Sequence, residues 1–141
     1  TPYPADGMHF VIVDGDVLIS HALVTSRPLE YQASALKVMG LSSVFCYPTH
    51  RGHGFGEKVV AAATEHIRKT AVADFGLLFC GERVKSLYLR QGWIEPPGMR
   101  VTFGDDHRLY SGGVILMLRL SENLPRVKFD NPPLHVGAAT W

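Results

Sequence analysis

Cysteine is scarce in this sequence, net charge is almost nil and no long apolar run occurs, and each shortage removes a class of protein. The two cysteines, Cys46 and Cys80, lie inside apolar stretches and form no C-x-x-C pair, so neither a disulfide scaffold nor a thiolate metal centre is indicated. Buried free thiols in a reduced, cytoplasmic setting, with no metal, are the expectation. Fourteen Lys and Arg stand against 13 Asp and Glu, a formal charge of +1, which offers no global attraction to nucleic acid or to an acidic membrane face. No segment approaches the length of a membrane span and no signal-peptide pattern opens the chain. The first residue is Thr1 rather than Met, so a trimmed start is expected. Internal repeats and low-complexity tracts are missing too. With 141 residues the chain suits one domain, residues 1–141, large enough to bury a core without a covalent staple.

What is there begins with a hairpin. "MHFVIVDGDVLISHALVTS" reads as two strands, Met8 to Val13 and Val17 to Thr25, joined through Asp14, Gly15 and Asp16, and D-G between alternating apolar runs is a strong hairpin signal. "RPLEYQASA", with Pro28, predicts a loop before a third strand over Leu36 to Tyr47, which Pro48 ends. Val59, Val60, Ala63 and Ile67 recur at helical spacing within Gly54 to Thr70, with Arg68 and Lys69 in the last turn. "ADFGLLFC" is a short buried strand, and "ERVKSLYLRQGW" a second helix with Val84, Leu87 and Tyr88 on one face and Gly92 as its stop. Strands follow at about Met99 to Phe103 and Val114 to Leu120, separated by the polar connection "GDDHRLYSGG". The tail from Ser121 to Trp141 has no clear period and reads as an extended or partly disordered arm. The order β-β-β-α-β-α-β-β gives a mixed α/β (α+β) sheet, with the third and fourth strands parallel around a helix crossover and the rest antiparallel.

Glycine is concentrated where that third strand meets the helix, in "YPTHRGHGFGEKVV" from Tyr47 to Val60. Such a loop lets main-chain N–H groups approach a ligand closely, and at a helix start the ligand favoured is an anion. A P-loop is excluded because Lys58 follows Glu57 with no Ser or Thr behind it. A dinucleotide fingerprint counted from Gly52 finds Glu57 at its third glycine, and Asp74 precedes its strand instead of ending it. The pattern that remains is Arg51-Gly52-His53-Gly54-Phe55-Gly56, an R-x-x-G-x-G. A glycine-rich turn without a ligand is the plainer reading, but it leaves the entropy cost of the glycines unexplained.

From Met8 to Leu120 the chain resembles the GNAT superfamily of N-acetyltransferases. "VFCYPTHRGHGFG" matches its strand-x-P-x-x-R-G-x-G-x-G segment, and "SLYLRQGW" its L-Y-x-x-x-G-[FW] helix end. The resemblance implies that Arg51, Gly52, His53, Gly54, Phe55 and Gly56 hold the pyrophosphate of acetyl-CoA, the cosubstrate, and that Val44, Phe45 and Cys46 pair their backbones with the pantetheine arm. It also implies that Tyr88 donates a proton to the leaving thiolate. A phenol with a reference pKa of about 10 is protonated at neutral pH and can assist a thiolate of about 8.5. A purely packing role for Tyr88 is the alternative. A main-chain N–H near Phe45 suits the oxyanion.

The base is unassigned. Relatives carry a glutamate on the strand where this chain has Ser42 and Ser43; Ser42, the catalytic candidate, suits holding a water. His50 and His53 beside a phosphate site suit coenzyme or solvent, and His21 reads as a core or pocket-lining histidine.

Within the superfamily, "GMHFVIVDGDVLISHALV", "RVKSLYLRQGW", "GGVILMLRL" and a tail ending in Trp are similar to the aminoglycoside 2'-N-acetyltransferase-like group. That implies a small-molecule amine as partner, an aminoglycoside antibiotic among the acceptors, and no nucleic acid or membrane; a homodimer is compatible with it. Ser111 stands where an acidic residue is expected before the final strand. Asp105, Asp106, Glu30 and Asp130 are the side-chain carboxylates available, and the C-terminal carboxylate at Trp141 lines the acceptor pocket if the tail folds back, a frayed end being the alternative. The superfamily's N-terminal strand and two helices have no counterpart in the sequence. Acylation of another amine or amino sugar, or an acyl-CoA-binding sensor without turnover, are the competing functions, and thiol release with a panel of amines separates them.

Overall fold

A computed structural model describes residues 7–70, 73–121 and 128–141. Strands β1 (Met8–Asp14) and β2 (Val17–Tyr31) form the expected hairpin, and Gly15 takes the left-handed φ of +59° that its turn needs. β2 does not stop at Thr25. It continues through Pro28 to Tyr31 and turns back at Gln32 and Ala33, both at positive φ, into β3 (Ser34–Cys46). The loop expected over "RPLEYQASA" is therefore a second hairpin. Proline is tolerated there because, among the described residues, β1 pairs with β2 only as far as Val24, so beyond that residue β2 is an edge whose missing N–H costs no described ladder bond on that side.

Helix α1 (Phe55–Lys69) crosses from β3 to β4 (Phe75–Cys80), and these two strands are parallel, as the crossover requires. Their start is locked reciprocally: Lys37 N–H donates to the Asp74 carboxylate at 2.7 Å, and Asp74 N–H to the Lys37 carbonyl at 2.8 Å. Beyond β4 the second helix is shorter than its periodicity suggested. A 3-10 turn over Glu82–Val84 leads into α2 (Lys85–Leu89), and Gly92 turns the chain at a φ of +96°.

The remaining strands part company. β7 (Val114–Arg119) completes a five-stranded sheet in the order β1-β2-β3-β4-β7, whereas β5 (Val101–Phe103) joins β6 (Arg108–Leu109) and β8 (Leu134–His135) in a small separate sheet. Placing β5 in the main sheet, and reading the "GDDHRLYSGG" connection as strand-free, are both corrected by this. β8 belongs to the tail and lies parallel to β5. Of the tail, residues 122–127 fall outside the described residues; residues 128–141 pack as an arm. Arg27 donates to the carbonyls of Val136 and Ala139 at 2.7 Å and lies over the Trp141 ring, whose Nε1 donates to the Leu77 carbonyl at 2.9 Å.

Three layers result, because successive strand residues point to opposite faces. Met39, Leu78 and Leu116 pack toward α1 with Val59, Val60, Ala63 and Ile67. Val38, Leu77 and Met117 pack the other way, against Val101, Phe129, Leu134 and Val136 of the small sheet and the arm. Trp93, 1% exposed, plugs the α1 side, and its Nε1 donates to Thr64 Oγ1 at 3.0 Å inside the core. Gly76 is bare because a Cβ there would press on the Trp93 ring and Leu118. Thr64→Val keeps the shape but strands the indole N–H, so chemical denaturation should show a loss of about 1–3 kcal/mol. An unchanged midpoint would mean that the bond adds nothing to stability.

Candidate active site

The glycine loop is built as its sequence dictates. After Tyr47 a 3-10 turn over Pro48–His50 lifts the chain away from β3. Gly52 and Gly54 then take φ of +84° and +79°. Gly54 is the N-cap of the 15-residue α1 and supplies no side-chain cap, so the first N–H groups of the helix keep their hydrogen-bonding capacity and its positive end. A Cβ added at Gly52 or Gly54 would meet nothing within 4 Å, which means that their bareness serves open space and not internal packing. Two bonds fix the corner. Arg51 Nε donates to the Cys46 carbonyl at 3.0 Å, and Ser20 Oγ on β2 to the Phe55 carbonyl at 3.1 Å.

The strand leading into the loop is opened on one side. β3 pairs with β4 from Val38↔Phe75 to Leu41↔Leu78, and the pairing ends there. On its other side β3 stays with β2, but the register jumps from Leu23↔Ser42 to His21↔Phe45, placing Ser43 and Val44 opposite Ala22 alone. This is a β-bulge, and Ser43 carries it at a φ of +53°, a left-handed conformation that costs a residue with a Cβ on the order of 1–3 kcal/mol. Past the bulge Val44, Phe45 and Cys46 line a cavity of about 660 Å³.

That cavity is lined by Val44, Phe45 and Cys46 from the strand, by Arg51, Gly52, Gly54, Phe55 and Gly56 from the loop, and by Tyr88 from α2. Arg83 and Arg90 also line it, giving three guanidinium groups with Arg51, while Glu57 is engaged by Arg90 at 3.0 Å. A positively charged floor under uncapped amides is what a diphosphate needs. Arg83, Leu87 and Arg90 recur at i, i+4 and i+7 within the segment read as a helix, a spacing that would share one face of a continuous helix and so could have pointed to the two arginines.

A second cavity of about 260 Å³ opens beside the first, lined by Ser42, Ser43, Val44, Cys80, Tyr88 and Trp141 among others. Val44, Val84 and Tyr88 line both, so Tyr88 borders both spaces. Tyr88 is 6% exposed. Burial, with a smaller push from Cys80, raises its phenol to about 12. The Cys80 thiol is pushed up as well, first by burial and then by Glu82. Both cysteines are half-buried free thiols lining cavities, not the fully buried ones expected.

The sequence candidates thus divide. Eight of the nine loop and strand residues line the first cavity. His53 does not: it is exposed, with its ring 6.0 Å from that of Phe55. His50 likewise lines neither cavity, its ring standing 6.3 Å from that of Phe55. Ser42 lies in the second cavity with Tyr88. Asp105, Asp106, Glu30 and Asp130 line neither; Asp106, for instance, pairs with Arg108 at 3.4 Å on the surface. Among the described residues no cluster suits a metal ion and no helix is long and apolar enough to cross a membrane.

Comparison with known proteins bears on the same residues. The aminoglycoside 2'-N-acetyltransferase of Mycolicibacterium fortuitum is 29% identical over 113 residues, covering 74% of this chain and 57% of that protein. The chain therefore spans little more than half the length of this relative. A GNAT family N-acetyltransferase of Escherichia coli, crystallised in complex with CoA, superposes with a TM-score of 0.64 at 17% identity, over 92% of this chain and 65% of that one. A GCN5-related N-acetyltransferase of Kribbella flavida gives 0.53 at 20% identity, over 64% of this chain and 22% of that one. Residues 2–93, which carry the opened strand, the glycine loop, α1 and Tyr88, match the model of the acetyltransferase (GNAT) family, and the chain belongs to that family.

Proposed function

We propose that this chain moves an acetyl group from acetyl-CoA to a primary amine of a small molecule by direct attack. The observation that carries the proposal is that Tyr88 borders two cavities, one lined by glycines at the uncapped start of α1 and by arginines, the other lined in part by Ser42. In this reading the N–H groups of Gly52 to Gly56 and the Arg51, Arg83 and Arg90 guanidiniums hold the diphosphate, and Val44–Cys46 align the pantetheine arm by main-chain bonds. The coenzyme supplies an activated thioester.

Ser42 orders a water that takes the amine's proton as the C–N bond forms. A main-chain N–H of the Phe45 region faces the developing oxyanion. Tyr88 donates a hydrogen bond to the sulfur as the C–S bond breaks. At about 12 its phenol is a weaker acid than a thiol near 8.5, so the proton that ends on sulfur must be made good from the amine side. The raised Cys80 thiol is a poor nucleophile, which favours direct transfer over an acyl-enzyme.

The aminoglycoside acceptor rests on the similarity to the Mycolicibacterium fortuitum enzyme. The second cavity holds 260 Å³, below the roughly 300–1,000 Å³ usual for drug-sized ligands, and suits one amino group of such a sugar or another small amine. A binding module without turnover is the second reading, favoured by the lack of a side-chain carboxylate or imidazole among the described residues lining that cavity.

Thiol release from acetyl-CoA across a panel of amines decides between them. Turnover with aminoglycosides is expected, turnover with other amines alone would remove the antibiotic reading, and binding with no turnover would leave the sensor. Tyr88→Phe should lower kcat by about a hundredfold with coenzyme affinity kept; full activity would end its assigned role. Stability gives a second check on Tyr88. A phenol raised in the fold contributes stability that is intact below about 10 and lost as pH rises through about 12. The alkaline loss should therefore shrink in Tyr88→Phe, and an identical alkaline profile would contradict the burial effect.

A further inference from the structure

His21 is 7% exposed and lines neither cavity, yet its ring makes three contacts that converge on the opened strand. Its Nδ1 lies 2.8 Å from the Ser43 carbonyl oxygen, its Nε2 lies 2.8 Å from His9 Nδ1, and its face stacks on Phe45 with centroids 5.1 Å apart. A carbonyl can only accept, so His21 Nδ1 carries the hydrogen. Between His21 Nε2 and His9 Nδ1 one nitrogen donates and the other accepts.

The geometry assigns His21 as a positioning residue for the main chain of Ser43–Cys46. In a regular antiparallel ladder the Ser43 carbonyl would bond the neighbouring strand, but the bulge sets Ser43 and Val44 against the single residue Ala22. The imidazole supplies the donor that the ladder has lost. It thereby holds Ser43 in the left-handed state that glycine would adopt unaided. Stacking on Phe45 fixes the ring two residues further along, so one side chain grips both ends of the bulge. The preceding residue, Ser20, points to the opposite face and ties down the Phe55 carbonyl at the start of α1. Consecutive residues of β2 thus hold the two walls of the first cavity, and neither is within it.

The functional consequence rests on the acetyl-transfer reading, whereas the clamp itself does not. Two variants of similar size separate the ring nitrogens. The amide N–H of Asn falls near the place of Nδ1, and that of Gln near Nε2. His21→Asn should therefore keep the bond to Ser43 and bind coenzyme A as the unmodified chain does. His21→Gln should lose it and weaken coenzyme A binding by about tenfold, the cost of one buried hydrogen bond, with faster amide exchange at Val44–Cys46. Nitrogen NMR of the unmodified chain should show His21 as the Nδ1–H tautomer. An Nε2–H tautomer, a His21→Gln variant with unchanged affinity and exchange, or a His21→Asn variant as impaired as His21→Gln would each overturn the assignment. If the unmodified chain binds no coenzyme A, the acetyl-transfer reading fails, and the tautomer and the exchange rates still decide the clamp.

Discussion

Main-chain groups released where β3 leaves β4, and those at the uncapped start of α1, are the feature around which the rest of the chain is arranged. A sheet ordinarily consumes such groups in its ladder and a helix start ordinarily caps them. Here the parallel pairing ends at Leu41↔Leu78, and Gly54 caps α1 with no side chain. Both corners border the first cavity, which Arg51, Arg83 and Arg90 also line.

Such a corner is unstable by itself and has to be held from outside. Ser43 sits in a strained conformation and the glycines are conformationally costly. The stabilisation comes from the two packed faces of the sheet, with α1 and Trp93 on one side and the small sheet with residues 128–141 on the other. Gly40 takes part in this second closure. Any side chain there would collide with the Trp141 indole, which reaches the Leu77 carbonyl across the sheet. The same indole ends up beside Ser42 and Tyr88 in the second cavity. Closing the core and shaping the cavity are thus one act of folding.

Much of this was readable from residues whose backbone preferences are strong. Asp14-Gly15, Pro48, the loop glycines and Gly92 announce their turns, and the apolar spacing of Val59, Val60, Ala63 and Ile67 announces α1. The Gln32–Ala33 turn was illegible because neither residue favours the positive φ that both adopt; the pairing of β2 with β3 imposes it. Likewise β5 has no local mark to say which sheet it joins, and its partner β8 lies more than thirty residues further on. At the candidate site the loop glycines stand out as a pattern, whereas Tyr88 was named through the resemblance to the GNAT superfamily. Arg83 and Arg90 were hidden in a helix read for its apolar face, and His53, named with its neighbours in the loop, is exposed and lines neither cavity. The bond between His21 and Ser43 depends on a bulge, which single-strand periodicity cannot reveal.

Backbone amide NMR during titration with coenzyme A tests the central claim most directly. The amides of Gly52, Gly54 and Gly56 should shift strongly on the diphosphate, those of Val44–Cys46 should follow on the pantetheine arm, and the far end of α1 near Lys69 should stay in place. Saturating coenzyme A that leaves the three glycine amides unmoved, or that shifts a different surface, would contradict the account.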